Sequence, residues 1–373
     1  MMNKMVRNGW RGRVIGAIAL GISLLAGVAI GAMRAEDEWT VHVGSLHRAQ
    51  TPQAREVSRP AEPSASAVSI QAMTTVGKET VFAGSFGMGI FRSDNRGGIW
   101  TPVNEGLTDP FILCLATGSD GAVYAGTFRG GVFRTRDRGE SWQPVNAGLK
   151  RLEIKTLLIT PGVIYAGTGD GVYRLSETDD RWTVVTTGLD EVLVHALAKA
   201  SDGTLFAGTS GKGVLRYKES SPGWVRMRHG LKDHEGLVEN FIRVLAIDKE
   251  QGVYAGTFDG GVFRSGDGGQ TWRPISRALP NDSIRSILTN ERGLFVATGL
   301  GIYKTVDQGR RWTALNNGLT NMSVQVLVDS GDGSLYAGTS SGAFRSDDDG
   351  KSWVSISEGL QGTFRSPFQA PFR

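Results

Sequence analysis

Cysteine is nearly absent: Cys114 stands alone among 373 residues. That excludes an intramolecular disulfide framework, a cysteine-based zinc site and a CxxCH haem attachment. Strong charge bias is lacking as well, once the formal net charge of +4 is located. Residues 1–34 hold Lys4, Arg7, Arg11, Arg13 and Arg34 and no acid; removing those five from the 41 basic residues leaves 36 against 37 acids. The body of the chain is therefore near neutral, which argues against general nucleic-acid binding. What is plentiful is glycine, at 52 residues, within a chain that is 40% apolar and long enough for one large domain or two ordinary ones.

Only one stretch is long and uncharged. Val14 to Met33 runs for 20 residues without a charge, behind four cations and ahead of Glu36, Asp37 and Glu38. A helix of that length matches a bilayer core, and the positive flank stays in the cytoplasm, so the remainder is exported. The run is longer than a signal-peptide core, and Ala32-Met33-Arg34-Ala35 is a poor cleavage site. We expect a basic cytoplasmic segment at 1–13 and a transmembrane anchor or uncleaved signal at 14–33. A flexible linker follows at 34–67, because its Pro, Ser and Ala content leaves little to bury.

From there the chain repeats. Seven copies of one unit begin near Val81, Val123, Ile164, Leu205, Val253, Leu294 and Leu335. Their tryptophans, Trp100, Trp142, Trp182, Trp224, Trp272, Trp312 and Trp353, are spaced by 42, 40, 42, 48, 40 and 41 residues. Such a period marks a repeat architecture. Each unit holds four β-prone runs between glycine-containing turns: Ile112–Ala116, Val123–Thr127, Gly131–Thr135 and Ser141–Val145 in the second. A lone four-stranded sheet cannot cover both faces, whereas radial stacking does. The fold class is therefore all-β: a seven-bladed β-propeller of four-stranded antiparallel blades over residues 68–360, preceded by one N-terminal transmembrane helix. The glycine of each YAGT run is expected to admit an aromatic group from the adjacent blade.

The turn before each tryptophan carries Ser/Thr-x-Asp-x-Gly-x-Ser/Thr-Trp. It is complete at Thr135–Trp142, Ser265–Trp272 and Ser346–Trp353, and nearly so at Thr305–Trp312, but lost in the third and fourth units. Asp137, Asp267, Asp307 and Asp348 are placed to accept backbone N–H groups of their own turns, and Trp142, Trp272, Trp312 and Trp353 to plug the seams between blades. These units resemble the BNR or Asp-box repeat family, which includes sialidases, the sortilin ectodomain and photosystem II assembly factors. The resemblance implies the propeller fold and says little of function, since the family's Asp-boxes lie away from its active sites.

Two sets of residues stand out as candidate sites. The second position of each first strand reads Ser69, Leu113, Lys155, His195, Arg243, Arg285 and Gln325, placing four basic side chains on consecutive blades. At a channel mouth they form a positive arc suited to a carboxylate, phosphate or acidic side chain, so the partner expected there is an acidic group or a glycan. The same face carries Phe86, Phe128, Arg129 and Phe258, an apolar rim or a set of side chains tucked over the hairpins. One longer connection, with Lys232, His234 and Glu235, explains the 48-residue spacing and is a loop for partner specificity. His234 with Glu235 and Glu239 is too sparse a set for a metal site. A recurrent cation (Arg92, Arg134, Arg174, Arg216, Arg264, Lys304, Arg345) is expected to stack on the following tryptophan or pair with an acid of its turn. The tail at 361–373 carries Phe364, Phe368 and Phe372 among Pro and Arg, and is expected to dock on the propeller or on a partner.

No catalytic residues are assigned and no cofactor is implied. The resemblance to sialidases would require a tyrosine nucleophile, a glutamate partner and an aspartic acid. The family's Arg-Ile-Pro element is absent, and so are a Ser-His-Asp elbow, a phosphate loop and a His-Glu-x-x-His motif. The sequence thus favours a non-catalytic, membrane-anchored interaction scaffold, a subunit or assembly factor of a membrane complex on the periplasmic or outer side. A glycan-binding or sialidase-like protein is the alternative.

Overall fold

The computed structural model describes residues 68–361 and Phe364, apart from Glu177, Thr178, Thr186, Thr187, Asp190, Pro222, Arg228 and 232–240. The basic segment, the apolar run at 14–33, the linker up to Ala67, Lys232, His234, Glu235, Phe368 and Phe372 lie outside the described residues. Among the described residues no helix is long and apolar enough to cross a membrane.

Twenty-eight strands among these residues form seven four-stranded antiparallel sheets, each in simple sequence order. The inner strands are Ile70–Val76, Ile112–Thr117, Ile154–Thr160, Val194–Lys199, Ile242–Ile247, Ile284–Asn290 and Val324–Asp329. Each packs on the next, and the seventh packs back on the first, so the ring is closed. Blade 1 is built wholly from residues 70–102 and blade 7 from 324–355, so no sheet borrows a strand across the closure. The fourth strands are only two or three residues long, which leaves little open edge for pairing with another chain.

Three devices repeat at the seams. The first is a close approach. A Cβ on Gly84 would lie 2.5 Å from Ile112 of blade 2, and one on Gly338 of blade 7 would lie 2.7 Å from Ile70 of blade 1. Only a bare backbone lets that β-branched side chain in. The group admitted is thus an Ile or Val that opens the next inner strand, and not the aromatic expected from the sequence. Blade 6 has Ala297 at this place, and the side chain facing it is the smaller Val324; both are fully buried.

The second device is the tryptophan. Trp142 Nε1 donates to Val103 O of the preceding blade (2.8 Å), as Trp182 does to Val145, Trp312 to Ile275 and Trp353 to Leu315. Trp100 closes the ring in the same way on Ile356 O of blade 7 (2.5 Å). Trp272 is buried in its seam, but its Nε1 has no partner among the described residues.

The third device is the Asp-box turn. Asp137 accepts from the Thr135 hydroxyl (2.6 Å), the Ser141 hydroxyl (2.6 Å) and the Ser141 N–H (3.0 Å). Arg138 and Gly139 both take positive φ, and a Cβ on Gly139 would stand 3.0 Å from Phe82 of blade 1, so the turn sits on its neighbour. Asp267 and Asp348 make the same bonds, and Asp307 makes two of the three, because Arg311 has no hydroxyl to donate. The Ser352 hydroxyl and N–H, then the Ser346 hydroxyl, hold the Asp348 carboxyl down at about 2.

The recurrent cations reach across to these turns. Arg92 donates to Arg138 O (2.6 Å), Arg216 to Gly268 O (3.1 Å) and Arg345 to Arg96 O (3.0 Å), each in the next blade. Arg92 and Arg345 also pair with Asp94 and Asp347 of their own turns. The expected stacking on tryptophan is replaced: Arg264 lies over Tyr254 and Lys304 over Phe295, aromatic residues of their own second strands. Phe364 packs against the cluster between blades 1 and 2, so the start of the tail does dock on the propeller.

Candidate functional site: the upper mouth

Every inner strand carries one β-bulge, and it falls at the same place in all seven. The ladder skips from Ile70 to Ala72, Ile112 to Cys114, Ile154 to Thr156, Val194 to Ala196, Ile242 to Val244, Ile284 to Ser286 and Val324 to Val326. The bulged residues are Gln71, Leu113, Lys155, His195, Arg243, Arg285 and Gln325. A bulge frees its residue from the ladder and re-aims the side chain. These seven form a ring at the start of the inner strands, on the face that carries the second-to-third-strand hairpins and the blade connections. The four basic residues expected to align therefore do align. In blade 1 the aligned residue is Gln71; the sequence reading placed Ser69 there, two residues too early. Ser69 instead accepts from Gln71 Nε2 (2.8 Å).

The charges of the arc are poorly compensated. Lys155 Nζ pairs with Glu153 (2.6 Å) and lies 5.6 Å from the centre of the Phe128 ring. Arg243 and Arg285 have no ion pair among the described residues. Arg285 donates to the Ser323 hydroxyl (2.6 Å), and its buried Nε finds no acceptor. Burial, and then the neighbouring charge of Arg285, pushes the Arg243 guanidinium down to about 10. Burial also lowers Arg285. His195 bonds to the Ser210 hydroxyl (2.6 Å); burial, then Lys155 and Arg243, pushes it down to about 4. At neutral pH His195 is uncharged and Lys155 is paired, which leaves Arg243 and Arg285 repelling each other in a poorly hydrated place.

Aromatic rings stand beside this arc. Phe86 is 52% exposed and Phe258 49%, so these two form an open rim and are not tucked over their hairpins. Phe128 is half-buried under the Arg129 guanidinium, 5.1 Å from the ring centre. Two further phenylalanines complete the rim: Phe111 packs edge-on to Phe86 (4.9 Å), and Phe241 lies between His195 (5.2 Å) and Phe258 (5.8 Å). Phe111 and Phe241 immediately precede an inner strand, and backbone bridges tie them to Phe86 and Ser210. Sequence reading missed them; the signal was their shared position one residue ahead of the β-branched start. Buried Asp109 also went unnoticed. Its carboxylate takes the N–H groups of Phe111, Arg129 and Gly130 and fixes the blade 2 hairpin.

The rim is lopsided. Blades 6 and 7 present Ser283, Gly299, Ser323 and Ser340 where blades 1, 2 and 5 present phenylalanine. The mouth thus joins an aromatic side to a basic arc. Among the described residues no three His, Cys, Asp or Glu side chains gather closely enough to hold a metal ion.

No protein-family model matches this sequence, and no curated protein matches it. Solved structures do. The extracellular domain of a putative hybrid two-component system from B. thetaiotaomicron is similar at 20% identity and a TM-score of 0.63, over 77% of this chain and 40% of that one. The GH74 enzyme of Niastella koreensis aligns at 13% identity and a TM-score of 0.61, over 79% and 55%. YCF48 bound to D1 peptide aligns at 12% identity and a TM-score of 0.57, over 74% and 92%. This chain spans about half or less of the first two. Likeness at these identities shows the fold alone, and it fits a BNR-like propeller.

Proposed function

We propose that this protein is a non-catalytic interaction scaffold whose upper mouth grips an acidic segment of a protein partner. The observation that carries the reading is the pair Arg243 and Arg285: two half-buried guanidiniums on adjacent bulges, without a carboxylate among the described residues. A partner carboxylate there would relieve repulsion that the fold tolerates, and charge-assisted bonds to arginine are the strong kind. The exposed rings of Phe86, Phe241 and Phe258 supply apolar contact next to it. None of the seven bulged side chains is an acid or a tyrosine, which supports binding over glycoside hydrolysis. Extracellular domains and a peptide-bound propeller among the structural neighbours are consistent with this use.

We further propose that residues 14–33 hold the propeller at a membrane, with the mouth on the exported side and the partner in a membrane complex. Lys232, His234 and Glu235 then contribute beside blade 5. The test is crosslinking of the full-length protein in its native membranes, compared with the Arg243→Glu, Arg285→Glu double variant. Loss of the same crosslinked partner from the double variant is expected. Retention of every partner, or turnover of a fluorogenic sialoside by the purified protein, overturns the reading.

A further inference from the structure

A cavity lies at the opposite end of the propeller, where one blade lacks its Asp-box. In the regular seams the Asp-box glycine of one blade sits on the preceding blade: Gly139 on Phe82 and Val103, Gly269 on Phe206 and Met227. The equivalent seat on blade 3 consists of Tyr165 and Val185. Blade 4 has lost its box, with Lys218-Glu219-Ser220-Ser221 in its place. The seat is left as a cavity of about 340 Å³ lined by Tyr165, Val185, Leu205 and Tyr217 together with Arg174, Lys199, Asp202, Lys218 and Glu219.

The loss also releases cations. Arg92, Arg216 and Arg345 each donate to a carbonyl of the next blade's turn. Arg174 occupies the same position, but no carbonyl of the described turn at 218–221, which replaces the box, accepts from it, and Arg174 points instead to Glu219. Among the described residues its ion pair is a long contact to Glu219 (3.6 Å), with the two side chains 50% and 79% exposed. Lys199 Nζ meets the Tyr165 hydroxyl (3.2 Å) and stands 5.1 Å from the centre of that ring, without a carboxylate. Lys218 is paired with Asp202 (2.9 Å) and so is neutralised. Among the described residues Lys199 thus has no ion pair and Arg174 has a long one, beside two tyrosines.

We propose that this vacated seat binds a small organic monoanion: a carboxylate on a hydroxylated or short aliphatic body about the size of one sugar ring. The carboxylate takes Arg174 and Lys199, and the body lies on Tyr165, Val185 and Tyr217. The volume falls in the range of small-molecule sites. The residues belong to the lower ends of blades 3 and 4 and share none with the upper mouth, so the proposal stands apart from the scaffold reading.

The test is titration of the full-length protein with glucuronate and with glucose, its uncharged counterpart, by calorimetry and ligand-observed NMR. Saturable glucuronate binding is expected, at least tenfold tighter than glucose. Arg174→Ala and Lys199→Met each weaken it tenfold or more, and Val185→Trp, which fills the seat, abolishes it with the thermal midpoint kept. Arg243→Glu leaves it unchanged. Equal affinity for glucose, wild-type affinity in the Arg174→Ala and Lys199→Met variants, or loss of binding in Arg243→Glu overturns the proposal.

Discussion

Two seams of the same ring have met different fates. The seam between blades 7 and 1 joins parts of the chain more than 200 residues apart. It keeps the close approach, the tryptophan and the cation: Ile70 against Gly338, Trp100 on Ile356, Arg345 on Arg96, and Arg96 paired with Asp347 (2.9 Å); its turn is built on Asn95 in place of the aspartate. The seam between blades 3 and 4 joins neighbours in sequence. There the box is gone, Trp224 Nε1 is buried without a partner among the described residues, and a cavity stands where the box glycine would pack. A covalent connection already confines blades 3 and 4 to one another, so the loop-closure cost is small and side-chain devices can decay. Nothing but side chains and backbone bonds confines blade 7 to blade 1. The seam without a covalent connection keeps its devices, and the seam that has lost them is one that a connection holds.

The comparison breaks most plainly at the tryptophans. Trp100→Ala is expected to cost about 3–5 kcal/mol in chemical unfolding, the usual range for a large buried aromatic. Trp224→Ala, at the loosened seam, is expected to cost less than half as much. Equal losses would mean that closure is not the weak point. Next in size is a separation of roles between cations. Arg243→Glu with Arg285→Glu weakens partner binding at least 100-fold, about 2.7 kcal/mol, while Arg243→Gln with Arg285→Gln, which removes the mutual repulsion, also weakens binding and leaves the unfolding midpoint unchanged or raised. Arg345→Ala does the reverse, lowering stability by about 1 kcal/mol and leaving binding intact.

A smaller effect follows from His195, whose folded value near 4 lies below the ordinary 6.5. The neutral ring contributes its full stability above pH 6.5. As pH falls towards 4 the unfolded chain takes up the proton first, so stability is lost across that window. His195→Gln flattens the loss, as unfolding at stepped pH would show. An anion bound at the mouth raises the His195 value, so binding takes up a proton and tightens as pH falls towards 4. Calorimetry in buffers of different ionisation enthalpy measures that uptake.

The ring, its seven units and the Asp-box bonds were legible because tryptophan, glycine and aspartate recur at fixed offsets, and a recurrent residue type carries its geometry with it. Closure was legible only as a count of units; the residues that achieve it, Ile70 and Ile356 among them, carry no motif. The bulges were invisible. Lys155, His195, Arg243 and Arg285 aligned by their distance from a β-branched residue, but blade 1 begins with Val68-Ser69-Ile70, where two β-branched residues compete, and Gln71 was displaced. The reach of Arg92 and Arg345 also escaped notice, since a contact to the next blade's carbonyl leaves no trace in side-chain identity. The anchor and the loop with Lys232, His234 and Glu235 stand as sequence expectations and proposals, outside the described residues.

The bulges have a consequence for how such a wheel can change its allegiance. A residue outside the ladder can be exchanged without shifting the register of its strand, so each of the seven positions behaves like one tumbler of a lock. Glutamine, leucine, lysine, histidine and arginine already occupy equivalent tumblers on one rigid frame. A descendant could therefore learn a new key one blade at a time, while the barrel that holds the tumblers stays as it is.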